Sequence, residues 1–213
     1  MLRRSVGLKT QAKTPATRGV GLWPAHLLFR QPLLTVLMAA LPLAAQERAI
    51  DTARSSITVH VGKAGLLSAA AREHWVSARI ASGSIDEAGL RVEFKVRSAA
   101  LIVKPDPKVD AKTRGQIQKD MDEMTLEIAK YPEIAFRSTH VSPAGAGQFK
   151  VDGSLTLHGV SKSVSVAVKR EGESFTGHAV IKQTDFGIKP ISIAGGTIRI
   201  KDPVDIDFEV FAR

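Results

Sequence analysis

The sequence predicts an all-β protein, an eight-stranded antiparallel up-and-down barrel with one helical segment over about residues 110–130. Three observations carry this. Apolar and polar residues alternate strictly in several runs: Val92, Phe94 and Val96 sit between Arg91, Glu93, Lys95 and Arg97, and Val204, Ile206, Phe208 and Val210 flank Asp205, Asp207 and Glu209. Such a period of two turns one face to an apolar interior and the other to water, the habit of antiparallel sheet. Turn signals follow at short intervals, at Glu87-Ala88-Gly89, Ala144 to Gly147, His158-Gly159 and Glu171-Gly172-Glu173, which favours a meander over crossovers. One segment alone breaks the period.

The expected strands are 55–62, 73–85, 90–103, 133–142, 148–157, 162–170, 174–182 and 197–211. Pro203 should kink the last one, because proline removes a ladder donor. The exception is 110–129, where Ile117, Met121, Met124 and Ile128 recur at helical steps behind Asp110 as N-cap, and Tyr131-Pro132 ends the run. Gly115 should weaken its first turns and could divide it in two. Closing the sheet removes its edges, and an eight-stranded barrel holds a packed core or one small ligand. Alternation alone leaves both open.

The formal charge of +9 is uneven. Residues 1–45 hold Arg3, Arg4, Lys9, Lys13, Arg18 and Arg30 and no acid; removing these six from 30 basic residues leaves 24 against 21 acidic ones, or +3. That remainder has no footprint for nucleic acid. The basic lead runs into an apolar stretch from Leu33 to Ala45, shorter than the roughly 20 residues of a membrane span. Ala44-Ala45 before Gln46 forms a cleavage site, so 1–45 is read as a signal peptide. Residues 46–213 are read as the exported domain, periplasmic or secreted, with no stable membrane insertion after processing.

Catalytic constellations are missing. With no cysteine there is no thiol nucleophile or cysteine-ligated metal, and neither HExxH nor GxSxG occurs. Gly195-Gly196 opens no helix and so makes no phosphate loop. His60 alternates with apolar residues and should face solvent, while His158-Gly159 reads as a turn. An enzyme, a metal centre and a cofactor are not expected; the alternative is a filled barrel, or an enzyme using Glu73, His74 and His158 at the barrel rim.

Three ordered segments carry a resemblance: Lys130-Tyr131-Pro132-Glu133-Ile134-Ala135-Phe136-Arg137-Ser138, Gly153-Ser154-Leu155-Thr156-Leu157-His158-Gly159-Val160-Ser161-Lys162, and Thr184-Asp185-Phe186-Gly187-Ile188. Together with Ile50-Asp51 and Ser55-Ser56-Ile57 they make residues 49–212 resemble the YceI-like family. The resemblance implies an exported bacterial protein whose lipocalin-like barrel encloses a long isoprenoid or similar lipid, a quinone included. It thereby implies a cavity. Candidate lining residues are Val92, Phe94, Val96, Phe136, Phe149, Leu155, Leu157, Val166, Phe186 and Phe208. Candidate head-group residues at the rim are Lys63, Arg72, His74 and Lys189, close to where the chain departs from the commonest family pattern (Lys63 to Leu67 and Ala71 to Trp75). Burying one isoprene unit gains about 3–4 kcal/mol gross at ~0.8 kcal/mol per carbon, so an aliphatic tunnel could hold several units tightly.

Overall fold

The computed structural model describes residues 47–64, 73–193 and 197–213. The expected signal peptide and Arg72 lie outside them. Among the described residues twelve strands form one antiparallel sheet: β1 (Glu47–Ala49), β2 (Ser56–Ala64), β3 (His74–Ala78), β4 (Ile80–Asp86), β5 (Arg91–Arg97), β6 (Ile102–Val103), β7 (Glu133–Gly145), β8 (Gln148–Leu157), β9 (Val160–Glu171), β10 (Ser174–Lys182), β11 (Ser192–Ile193) and β12 (Ile198–Phe211).

The sheet closes on itself. β12 pairs with β2, β2 with β3, and β3 runs on through Arg79 into β4, which pairs with β5. From β5 the ladder continues through β7, β8, β9 and β10 back to β12. Counting β1–β2, β3–β4 and β5–β6 each as one interrupted strand gives a ring of eight, with β11 a short hairpin partner of β12. The expected strands 73–85 and 90–103 are therefore real but broken, at Arg79 and at the short 3-10 turn Ser98–Ala100. The breaks let one strand serve two stretches of wall: β1 and β2 flank β4 and β3, while β5 and β6 cover their other edges. In β12 the register slips between Ile200 and Val204, so the bulge absorbs Pro203 without losing the strand.

The helical segment sits between β6 and β7. Helix α1 (Ala111–Asp120) starts where the Asp110 carboxylate accepts from the Thr113 N–H at 2.9 Å. It then widens into a π-helical turn, Met121–Thr125, and the break falls there rather than at Gly115. A π turn inserts an extra residue and rotates the following face. Ile117 and Met121 accordingly face the barrel, Met124 is left 71% exposed, and Leu126 takes the buried position. Gln118 fastens the helix to β6: its Oε1 accepts from the Val103 N–H at 2.8 Å and its Nε2 donates to the Leu101 carbonyl at 2.9 Å. The amide thus replaces a missing strand neighbour.

Candidate functional site: an apolar tunnel

The barrel is not filled. Its inward residues enclose a cavity of about 380 Å³ that runs from α1 at one end to the β4–β5 hairpin at the other. Val59, Val92, Phe94, Leu155, Phe175, Ile206 and Phe208 all point inward yet are only partly buried, because they face this space rather than one another. A packed interior would bury them completely. Among the fully buried apolar residues, Ile50, Ile80 and Ala212 lie outside this lining, whereas others such as Val96 and Leu101 belong to it.

Glycines help to keep the lumen clear. On β10, Gly177 pairs with Phe208 of β12, and a Cβ there would come within 2.3 Å of Phe208 Cζ. On β8, a Cβ at Gly153 would come within 2.4 Å of Phe136 Cζ. Both glycines lie on the inward side of their strands, so each ring lies flat across bare backbone instead of projecting into the space. Phe136 stacks in turn on Phe94, with centroids 5.4 Å apart.

Of the residues expected to line a cavity, Val92, Phe94, Val96, Phe136, Phe149, Leu155, Leu157, Val166 and Phe208 do so. Phe186 does not. It sits in the 3-10 turn Gln183–Phe186, is 2% exposed, and fills a gap in the wall where the β9–β10 ladder stops at Ala167 and His178. Of the expected rim residues, His74 reaches the tunnel. Lys63 at the end of β2 and the exposed Lys189 do not line it.

His60 and His178 share the Asp205 carboxylate, at 3.9 and 3.6 Å, while His158 belongs to a different site. Glu73 binds His60 Nε2 at 3.1 Å on the outer face, where the His60 ring stacks on Trp75 with centroids 4.3 Å apart. That stack leaves His60 outward but mostly covered, with 24% of its side chain exposed. His158 stands far round the ring on the β8–β9 turn, in the left-handed region at φ 51°. Its Nε2 lies 2.7 Å from Glu127 Oε2, its Nδ1 3.3 Å from the Phe186 carbonyl, and its ring against Tyr131. A Cβ at Gly159 would come within 2.6 Å of the Tyr131 ring. The three segments that carry the family resemblance therefore meet in one knot that ties the helical segment and the 3-10 turn to the barrel. Among the described residues no cluster of His, Asp and Glu could hold a metal ion.

Charge enters the tunnel at its hairpin end, which no sequence pattern indicated. Asp86, Glu87 and Arg91 line it there. The Gly89 N–H, at 2.7 Å, and the Arg91 guanidinium, at 3.1 Å, hold the Asp86 carboxyl below its ordinary pKa of 3.8. Glu87 accepts from Arg48 Nη1 at 2.9 Å and from Arg170 Nη1 at 2.7 Å.

A closed antiparallel meander around an apolar tunnel, with one helix packed over an end, defines a lipocalin-like barrel. The YceI-like domain family matches residues 49–212, and the chain belongs to that family. A UPF0312 protein of Pseudomonas savastanoi is 38% identical over 94 residues, which cover 39% of this chain and 47%, about half, of that relative. A UPF0312 protein of Shewanella oneidensis is 26% identical over 76% of this chain and 87% of its own length. Among solved structures, Burkholderia cenocepacia BcnA superposes with a TM-score of 0.53 at 21% identity, over 77% of this chain and 99% of its own. A domain from Saccharophagus degradans described as polyisoprenoid-binding gives 0.51 at 18%, over 78% and 97%. At these identities the structures attest the shared fold.

Proposed function

We propose that the protein is an exported carrier that holds the hydrocarbon tail of a long amphipathic lipid, of the polyisoprenoid class, inside the barrel and performs no chemistry on it. The observation that carries this reading is the tunnel itself: about 380 Å³, bounded through its middle by Val, Ile, Leu and Phe. That volume falls within the range of small-ligand cavities, roughly 300–1,000 Å³. Through that middle stretch the apolar side chains suit a tail without hydrogen-bonding groups, and would reject a polar guest by leaving its groups unpaired. The Saccharophagus degradans domain, described as binding a polyisoprenoid, supports the class of cargo. The basic-then-apolar composition of residues 1–45 supports export. His158, paired with Glu127, stands apart from Glu73 and His74, which weakens the enzymatic alternative. Native mass spectrometry of protein recovered from the periplasm, followed by solvent extraction, tests the reading. A co-purifying species of several isoprene units is expected; a ligand-free mass that stays unchanged after incubation with polyprenols and quinones would overturn it.

A further inference from the structure

The barrel wall is split between β9 and β10. The two strands pair only from Ser174 and Glu171 to His178 and Ala167. Beyond that row both remain strands, β9 from Val166 to Val160 against β8 and β10 from Ala179 to Lys182 against β12, yet they no longer pair with each other. Their facing edges therefore present main-chain N–H and C=O groups outside any ladder. Between the edges lies a second hollow of about 360 Å³, lined by Lys162 to Ser165 on one bank and Ala179 to Lys182 on the other. Val164, Ala179 and Ile181 line this hollow and the tunnel alike, so side chains, and no hydrogen-bonded strand pair, separate the two spaces. Phe186 sits in the hollow, 2% exposed. Its turn is fastened to β12: the Thr184 N–H and hydroxyl donate to the Asp202 carboxylate at 2.8 and 2.7 Å, and Gln183 Nε2 donates to the Lys201 carbonyl at 2.8 Å. The ring thus reaches into the split from the β12 side.

We infer that the β9–β10 split is a lateral portal, through which a hydrocarbon tail passes between the outside and the tunnel, and that the Phe186 ring is its stopper. The inference rests on the tunnel reading above. A sheet opens most readily where the fewest hydrogen bonds hold its strands, and parting β9 from β10 here breaks no ladder bond. The side chains that a tail would slide past, Val164, Ala179, Ile181 and Phe186, are all apolar, so passage leaves no side-chain polar group unpaired. The two ends of the tunnel are less open to a tail. Asp86, Glu87 and Arg91 line one, and Ile117, Met121 and Leu126 of the helical segment line the other.

The chain has no cysteine, so a thiol pair can be placed across the split alone. Ser165→Cys with Val180→Cys, made in the full chain, puts exposed thiols on the two banks and outside the tunnel lining. A short bis-methanethiosulfonate ties them, the added mass confirms a single bridge, and dithiothreitol releases it. Stopped-flow loading and release of the anthraniloyl ester of geranylgeraniol, a fluorescent isoprenoid, then compare the tied and untied forms. Tying should slow loading and release alike, by about tenfold or more, and leave Kd unchanged, because a closed portal raises the barrier without altering either end state. Phe186→Leu, a smaller stopper, should speed both severalfold. Rates untouched by the tie overturn the portal while the tunnel stands. A tied protein that loses affinity at equilibrium also overturns it, by making the hollow part of the binding site. Rates that fall with the tie but ignore Phe186→Leu keep the split as the route and overturn Phe186 as its stopper. Failure of the untied protein to bind the probe overturns the tunnel reading and the portal with it.

Discussion

Val59→Phe separates an open tunnel from a packed core with two readouts that move in opposite ways. Val59 lies in mid-β2, paired with Val76 on one side and Ile206 on the other, and its side chain faces the cavity. Phenylalanine adds about four carbons, which would displace a similar number of ligand carbons worth ~3 kcal/mol gross at ~0.8 kcal/mol each. The upper limit is a loss of about 200-fold in affinity for a chain long enough to pass Val59, and some tenfold should survive relaxation of the tail. Stability should not fall, because the ring enters space and covers apolar wall. In a packed interior the same change would overpack, at about 1–3 kcal/mol, lowering Tm by roughly 2–4 °C per kcal/mol. Calorimetric titration with a polyprenol and a thermal melt of the same sample give both numbers. A melt lowered by several degrees with unaltered binding would refute the tunnel as the lipid site.

Three other substitutions test the architecture and the charges. Gly177→Ala should lift Phe208 off the backbone into the lumen, costing about 1–3 kcal/mol in denaturant unfolding and weakening tail binding; a neutral result would mean the ring has another resting place. Gln118→Leu strands the Val103 N–H and the Leu101 carbonyl, so about 1–2 kcal/mol of stability should be lost, with amide exchange at Val103 accelerated. The Asp86, Asp110 and Asp202 carboxyls are all held below 3.8, by the Gly89 N–H and Arg91, by the Thr113 hydroxyl and N–H, and by the Thr184 N–H and hydroxyl respectively. A group depressed in the folded state binds fewer protons there than in the unfolded chain, so its contribution is complete above about pH 4 and is lost as the pH falls through the folded value. Urea midpoints should therefore be level from pH 7 to about 5 and drop below about 4, and Asp86→Asn should flatten that drop.

The two strictly alternating runs were legible nearly to the residue: 91–97 coincides with β5 and 204–210 lies within β12. They were legible because their partners are strands of the same period, so local pattern and tertiary burial agree. The helical stripe was read correctly at Ile117 and Met121 and wrongly at Met124, since a π turn changes the period without any composition of its own. Phe186 was placed among inward residues although it belongs to no alternating run. Its neighbour Gly187, at φ 72°, marks a turn, and that was the available signal. The charged mouth left no trace in any window, because Glu87 lies 39 residues from Arg48 and 83 from Arg170. Only ring closure brings them together.

That closure is delivered last. β12 is the final strand to be synthesised, and its partner β2 is among the first; the Phe211 N–H reaches the Ser55 hydroxyl across 156 residues. Until it docks, β2 and β10 present raw edges and the whole apolar inner face lies open to water and to other chains. Folding must wait for one long loop to close, which makes it slow, and the waiting species is the one most apt to aggregate. Under the proposed carrier function, the period before the last strand arrives is also the only time when the whole inner face can be coated from the side rather than threaded through an opening.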